Sequence, residues 1–161
     1  MMEILDLYDK NGKLLNKTVE RGSKNLADNE FIKVVTVWLE CKGRYLIQKT
    51  AKEKSGEYAI TGGHVQSGKS SLEQACLELE EELGLTITAK QLEFLGNVYG
   101  NHVIFDVYLL SDSQLDKINF VLQTEEVAAV SWLNENEIKQ LIDDGKVRPS
   151  TITQFEQLIQ K

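Results

Sequence analysis

Glutamates are crowded into one short part of the sequence, just after a pair of glycines. Gly62 and Gly63 lie near the start of the segment TGGHVQSGKSSLEQACLELEEELGL, in which four of the five residues from 78 to 82 are glutamate. Like charges one helical turn apart repel each other by about 0.2–0.5 kcal/mol per pair. A divalent cation such as Mg²⁺ or Mn²⁺ binds carboxylate oxygens and would relieve this repulsion, and glycines let backbone approach a ligand closely. The segment therefore predicts a metal site, with a solvated helix face as the alternative.

The glutamates belong to a helix that the sequence predicts from Ser70 to residue 83. Ser70 and Glu73 have the spacing of a capping box, and Gly84 is a C-terminal stop signal. Apolar side chains recur at helical spacing and predict a buried stripe formed by Leu72, Ala75, Cys76, Leu79 and Leu83. Beside that stripe lie three glutamates that share one arc of the helix, namely Glu78, Glu81 and Glu82.

Strand patterns surround this helix on both sides. An Asn11-Gly12 turn between two short apolar runs predicts an N-terminal hairpin within residues 1–30. Further strands are predicted at residues 31–40, 45–49, 58–61, 92–98, 102–110 and 126–133. Two helices are expected within residues 134–161, one after Asn134 and one with Ser150 as its N-cap. The pattern predicts an α+β fold with a mixed β-sheet, as one domain over residues 1–161.

Composition excludes several functional classes. The 161 residues carry a net charge of -7, which disfavours binding to a nucleic-acid polymer or to an anionic membrane surface. Cys41 and Cys76 form neither a disulfide framework nor a zinc motif, and no apolar run is long enough to span a membrane. A cytoplasmic location is therefore expected, while oligomeric state is open and includes a homodimer.

The helix and its glycines resemble the Nudix hydrolases, whose box reads G-x5-E-x7-R-E-U-x-E-E-x-G-U, with U an aliphatic residue. With the first glycine placed at Gly63, the box is matched by Glu78, Leu79, Glu81, Glu82, Gly84 and Leu85. Lys69 stands where the family has glutamate, and Leu77 where it has the arginine thought to orient the helix glutamates. The resemblance covers about residues 31–133 and implies an α/β/α sandwich. The N-terminal hairpin looks like the subgroup related to isopentenyl diphosphate isomerase.

The resemblance implies metal-dependent hydrolysis of a pyrophosphate linkage. The implied ligands of Mg²⁺ or Mn²⁺ are Gly62, Glu78, Glu81 and Glu82. The implied catalytic residues are Glu78, Glu81 and a base outside the box, for which Glu126 is chosen and Glu125 is the other candidate. Gly63, Lys49 and Lys54 would contact the substrate phosphates, although loop lysines are usually only solvated.

The substrate is expected to be a small-molecule diphosphate, with nucleoside diphosphate derivatives as the default. Four aromatic residues are candidates for stacking on a base, although strand aromatics are more often core: Tyr58, Trp38, Phe105 and Tyr108. The first alternative is a Nudix-fold module that binds a ligand with weak or no hydrolysis, which Lys69 and Leu77 keep open. Isomerase activity is disfavoured, because Gly62 stands where the isomerase has its cysteine and no histidine precedes His64. Lys69 would pair with a helix glutamate, contact substrate phosphate or remain solvated.

Overall fold

The N-terminal hairpin forms as the sequence predicts. The structure is a computed structural model that describes residues 2–161, in which β1 (Ile4–Tyr8) and β2 (Leu14–Glu20) pair antiparallel. Gly12 adopts a φ of 83° in the connecting turn, a left-handed conformation that glycine adopts without steric cost. Two backbone hydrogen bonds of 2.8 Å between Tyr8 and Phe31 join the hairpin to the start of the next strand.

Seven strands build the main sheet. They are β3 (Ile32–Cys41), β4 (Arg44–Thr50), β5 (Tyr58–Ala59), β6 (Thr61–His64), β7 (Glu93–Gly100), β8 (Val103–Ser111) and β9 (Val127–Leu133). The sheet is mixed, because β3 and β8 are parallel whereas the other pairs are antiparallel. β4 pairs with β3 only at Glu40 and Cys41, and β6 pairs with the earlier part of β3, from Val34 to Val37. The sheet therefore forks where β4 and β6 leave β3.

Helices cover both faces of this sheet. α1 (Ser71–Leu83) packs on one face, where alternate residues of β3, such as Val35 and Val37, meet Leu79. α2 (Glu135–Asp143) and α3 (Pro149–Gln154), the latter continued by a π-helical turn, lie on the other face around Trp38. This arrangement is the α/β/α sandwich that the resemblance implied. Among residues 2–161, no helix has the length and apolar character needed to cross a membrane.

The limits of α1 agree with the sequence, whereas those of α3 differ by two residues at the N-cap. Ser70 Oγ accepts a hydrogen bond from the Glu73 backbone N–H, the Glu73 carboxylate accepts one from the Ser70 N–H, and Gly84 has a φ of 66°. The expected N-cap of α3 at Ser150 is wrong. Arg148 is the N-cap and Pro149 occupies the first helical position, where its fixed φ fits and its missing N–H costs nothing.

Candidate active site

Glu82 is a buried carboxylate held by a chain of neutral donors. Its side chain faces the sheet from the last turn of α1 and is only 8% exposed. Thr61 Oγ1 on β6 donates a hydrogen bond of 2.9 Å to Glu82 Oε1, and Gln48 Nε2 on β4 donates in turn to Thr61 Oγ1. Three elements therefore fix the position of this one carboxylate.

Glu78 lies one helical turn before Glu82, against the backbone of β6. Gln74 Nε2 donates a hydrogen bond of 3.0 Å to Glu78 Oε1. A Cβ on Gly63 would overlap the Glu78 carboxyl group, and a Cβ on Gly62 would overlap the backbone carbonyl oxygen of Val35. Close packing against backbone therefore requires glycine at residue 62, whereas a side chain at residue 63 would displace the end of the flexible Glu78 side chain. A cysteine, which the isomerase has at the position of Gly62, would not fit here.

The two carboxyl groups retain protons more strongly than exposed glutamates do. Burial, and then the negative charge of Glu82, raises the pKa of Glu78 to about 8 from an ordinary value of 4.5. Burial also raises the pKa of Glu82, against the opposing effect of the hydrogen bond from Thr61. Among residues 2–161, no arginine or lysine is among the groups that shift the pKa of either glutamate, and Leu77 occupies the box position of the arginine. The pair is suited to release a proton in exchange for a cation.

A cavity of about 270 Å³ opens beside this pair, where β4 and β6 diverge. Its lining includes Gly62, Gly63 and Glu82 on one side. Lys54 and Glu126 line the cavity from loops and form an ion pair with an Nζ to Oε1 distance of 3.2 Å. Five of the predicted site residues therefore meet at one cavity, although they come from four separate parts of the chain.

Three predicted site residues do not line this cavity. Glu78 lies against Gly63, and Glu81 is exposed on the surface of α1. Lys49 is exposed while its strand neighbour Gln48 is buried toward the cavity, and its Nζ lies 5.7 Å from the ring centre of Tyr58. Side chains alternate along a strand, so Lys49 faces away from the cavity.

Lys69 precedes the first residue of α1, whereas Glu82 lies in the last turn of this helix. The charge of Lys69 lowers the pKa of Glu73 slightly, after the larger effects of two hydrogen bonds with Ser70. Glu82 comes thirteen positions after Lys69, which is about 20 Å along a helix at 1.5 Å per residue. Lys69 therefore does not replace the missing arginine beside Glu82. Neutral donors, Thr61 and Gln74, contact the two glutamates instead.

Sequence reasoning did not identify Gln48, Thr61 and Gln74 as site residues. Gln74 precedes Glu78 by four residues, so helical spacing was a usable signal. Gln48 and Thr61 gave no local signal, because their contact depends on how two strands approach each other. His64 also lines the cavity, and burial lowers its pKa. The other histidine, His102, does not line the cavity, and its Nδ1 lies 2.8 Å from the Glu30 carbonyl oxygen.

The side chains at this site provide only some of the ligands that a divalent cation needs. Two carboxyl groups converge against a glycine backbone, which offers oxygen ligands without obstructing side chains. Within residues 2–161, no three His, Cys, Asp or Glu side chains are already assembled as a metal site. A cation here would therefore draw its remaining ligands from backbone, water, substrate or a movement of Glu81.

Known proteins share this sequence pattern and this architecture. Residues 31–155 match the sequence family described as the NUDIX domain. A protein of Listeria innocua described as an uncharacterized Nudix hydrolase is 35% identical over 153 residues, which cover 92% of this chain and 89% of that protein. A crystal structure from Deinococcus radiodurans superimposes with a TM-score of 0.82 at 20% identity, covering 98% of this chain and all 100% of that one.

A second solved structure has the fold within a larger protein. It is a bifunctional NMN adenylyltransferase/ADP ribose pyrophosphatase from Francisella tularensis, complexed with AMP and a Mn ion, with a TM-score of 0.61 and 16% identity. The similarity covers 78% of this chain and 41% of that one. The family match and the Listeria relative show that this chain belongs to the Nudix family of pyrophosphate-cleaving hydrolases.

Proposed function

We propose that this protein is a metal-dependent hydrolase that cleaves the pyrophosphate linkage of a nucleoside diphosphate derivative or a similar diphosphate joined to another moiety. The observation that carries the proposal is the buried Glu82 at the wall of a cavity, with the half-buried Glu78 one helical turn away against Gly63. Nudix hydrolases use divalent metal ions in general, and the donors here are oxygens, which suit Mg²⁺ or Mn²⁺.

The carboxylates of Glu78 and Glu82 would hold the cation, with Glu81 and the Gly62 carbonyl group as further ligands. When bound, the cation supplies charge neutralisation for the phosphate oxygens and a lower pKa for a bound water. Thr61 and Gln48 keep Glu82 in place during this exchange of a proton for a cation. Gln74 does the same for Glu78.

Glu126 and Lys54 supply the remaining functions at the cavity. Lys54 would bind a substrate phosphate, because its ammonium group already pairs with a carboxylate at 3.2 Å. Once the phosphate replaces Glu126 as the partner of Lys54, Glu126 would be free to accept the proton of the attacking water. The water oxygen would form a new P–O bond as the bridging P–O bond breaks. The Gly63 backbone would lie next to the same phosphate. Lys49 stays outside this proposal, because it faces away from the cavity.

The test is a substrate panel with matched variants. Nucleoside diphosphate sugars, dinucleotides, nucleoside triphosphates and non-nucleotide diphosphates are incubated with Mg²⁺ or Mn²⁺, and phosphate-containing products are measured. We expect metal-dependent turnover that is abolished by Glu82→Gln and reduced about 10²- to 10⁴-fold by Glu126→Gln, the usual range for loss of a general base. Glu80→Gln changes an exposed glutamate of the same helix and is the control.

Binding of nucleotides without turnover across the whole panel would instead identify a ligand-binding module. Interconversion of isopentenyl diphosphate would identify an isomerase, which the tight packing at Gly62 disfavours. Formation of a homodimer, the cytoplasmic location and the relationship to the isomerase subgroup remain predictions.

A further inference from the structure

The N-terminal hairpin contributes a positive charge to the cavity beside Glu82. Arg21 directly follows β2 and lines this cavity, although the hairpin precedes the residues 31–155 that match the family. The charge of Arg21 also acts on His64, which lines the same cavity on β6, because burial and then Arg21 lower the pKa of His64. The guanidinium group of Arg21 therefore lies near the His64 side of the cavity.

Direct contacts hold the hairpin against the loop between β6 and α1. The Asp6 carboxylate on β1 accepts hydrogen bonds from Ser67 Oγ at 2.7 Å and from the Gly68 N–H at 3.0 Å. The backbone N–H of Arg21 donates a hydrogen bond of 2.9 Å to the carbonyl oxygen of Glu3, which precedes β1. Because the same loop leads into α1, the hairpin is joined to the helix that carries the glutamates.

The guanidinium group of Arg21 is held by an acidic residue that does not line the cavity. Its Nη1 atom lies 3.1 Å from Glu3 Oε2, and the Arg21 side chain is 50% exposed. Gln66 Nε2 donates a hydrogen bond of 3.3 Å to the other carboxylate oxygen of Glu3. A guanidinium group has five N–H donors in a planar fork, and the contact with Glu3 uses one of them. Arg21 is therefore able to bind an anion in the cavity while Glu3 keeps it in position.

Arg21 and the Glu82 carboxylate act at different points along β6. Thr61 donates its hydrogen bond to Glu82 at the start of this strand. His64, on which the charge of Arg21 acts, lies three positions further, which is about 10 Å at 3.3 Å per residue. The His64 side of the cavity is therefore a separate place for an anionic group.

The charges that line the cavity favour an anion. Among residues 2–161, the basic lining residues are Arg21, Lys54 and Arg148, and the acidic ones are Glu82 and Glu126. Glu126 pairs with Lys54, and Glu82 would be neutralised by a proton or by the proposed cation. The positive charges of Arg21 and Arg148 are then in excess within the cavity lining, and such an excess attracts anions. The planar fork of arginine matches the oxygens of a phosphate in particular.

We propose that Arg21 binds a phosphoryl group of the substrate, so that the N-terminal hairpin forms part of the active site. The phosphoryl group would accept hydrogen bonds from the guanidinium group at the His64 side of the cavity, while the cation would lie beside Glu82. This group belongs either to the diphosphate that is cleaved or to a further phosphate on the same substrate, and both offer the same oxygens to arginine. The inference rests on the proposed function for the reaction, whereas binding of the phosphoryl group needs no turnover.

Four variants separate phosphate binding from a structural role of the ion pair in the hairpin. Arg21→Gln removes the charge, and Arg21→Lys keeps the charge without the planar fork. Glu3→Gln breaks the same ion pair but leaves the guanidinium group in place. Lys17→Gln is the matched control, because Lys17 is an exposed cation of β2 that pairs with Glu30 at 3.3 Å and does not line the cavity. Binding of inorganic pyrophosphate to each protein is measured by isothermal titration calorimetry in EDTA.

We expect Arg21→Gln to weaken binding of pyrophosphate about 10- to 100-fold, which is the usual effect of a hydrogen bond to a charged group. Arg21→Lys should recover part of this loss. Glu3→Gln should bind pyrophosphate at least as tightly as the wild type does, because it removes a negative charge that competes for the guanidinium group. Lys17→Gln should bind as the wild type does.

Equal weakening by Arg21→Gln and Glu3→Gln would overturn the inference, because loss of the ion pair alone would then explain both results. Full binding by Arg21→Gln would also overturn it, as would a wild type that does not bind pyrophosphate.

Turnover distinguishes the two sources of the phosphoryl group. KM and kcat of Arg21→Gln are compared with those of the wild type for a nucleoside diphosphate sugar and for a nucleoside triphosphate. A rise in KM for both substrates, with kcat within about twofold, would identify the cleaved diphosphate, and a rise for the triphosphate alone would identify a further phosphate. Unchanged KM for both would overturn the inference and leave the proposed function intact. Pyrophosphate binding that depends on Arg21, with no turnover across the substrate panel, would support the inference and refute the proposed function.

Discussion

Replacement of Glu78 by glutamine should change how the stability of the metal-free protein depends on pH. Burial and the charge of Glu82 raise the pKa of Glu78 to about 8, so the folded protein binds this proton more tightly than the unfolded chain does. The stabilising contribution of that proton is complete below pH 4.5 and is lost as the pH rises through about 8. Glutamine is neutral at every pH and has no such loss.

The size of the effect follows from the change in pKa. A shift from 4.5 to about 8, at about 1.4 kcal/mol per pKa unit, sets an upper bound of about 5 kcal/mol. Glu78 is only partly buried and Glu82 shares the space, and both features reduce the loss. We therefore expect the wild type to lose about 3 kcal/mol of unfolding free energy relative to Glu78→Gln between pH 5 and pH 8.5.

Urea unfolding followed by tryptophan fluorescence measures this difference, because Trp38 is completely buried. Wild type, Glu78→Gln and the exposed-site control Glu80→Gln are compared in EDTA at four pH values between 5 and 8.5. Addition of Mn²⁺ at pH 8 should then stabilise the wild type and the control but not Glu78→Gln, because a cation that binds only the folded state adds stability. Parallel pH curves for all three proteins, or equal stabilisation by Mn²⁺, would refute the reasoning.

Two further substitutions probe the environment of the carboxylates. Gly63→Ala should lower the affinity for Mn²⁺ at least tenfold, because a Cβ would displace the Glu78 carboxyl group. Electron paramagnetic resonance measures this affinity, and an unchanged value would contradict the packing argument. Thr61→Val removes the 2.9 Å hydrogen bond to Glu82. A hydrogen bond to a charged group contributes about 1.5–3 kcal/mol, so kcat should fall about 10- to 100-fold. Thr61→Ser keeps the hydroxyl group and should retain most of the rate. Equal rates in the two variants would show that the hydroxyl is not needed.

The central helix was predictable because its signals are local. The hydrogen bonds between Ser70 and Glu73, and the left-handed Gly84, depend on residues close in the chain. Alternation also predicted the strands around it. The N-cap of α3 was placed two residues too late, at Ser150, because serine is a common N-cap residue. The fixed φ of Pro149 instead favours Pro149 as the first helical residue, which makes Arg148 the N-cap.

The cavity was harder to predict because it depends on the register of separate strands. A basic loop suggested both Lys49 and Lys54, yet only Lys54 reaches the cavity. Lys49 is one residue from Gln48, and a shift of one residue along a strand moves a side chain to the opposite face. Composition and spacing do not indicate whether Gln48 or Lys49 faces the cavity.

The departure at Leu77 changes how the site is held together and not which ligands it offers. A fixed arginine would neutralise the glutamates, so they would stay ionised with or without metal. Here neutral donors, Thr61 and Gln74, position Glu82 and Glu78 but add no positive charge. Burial then favours the protonated form, so a cation bound here would compete with protons for the same oxygens. If Glu78 and Glu82 hold the cation as proposed, its binding would therefore depend on pH more strongly than in a box that contains the arginine.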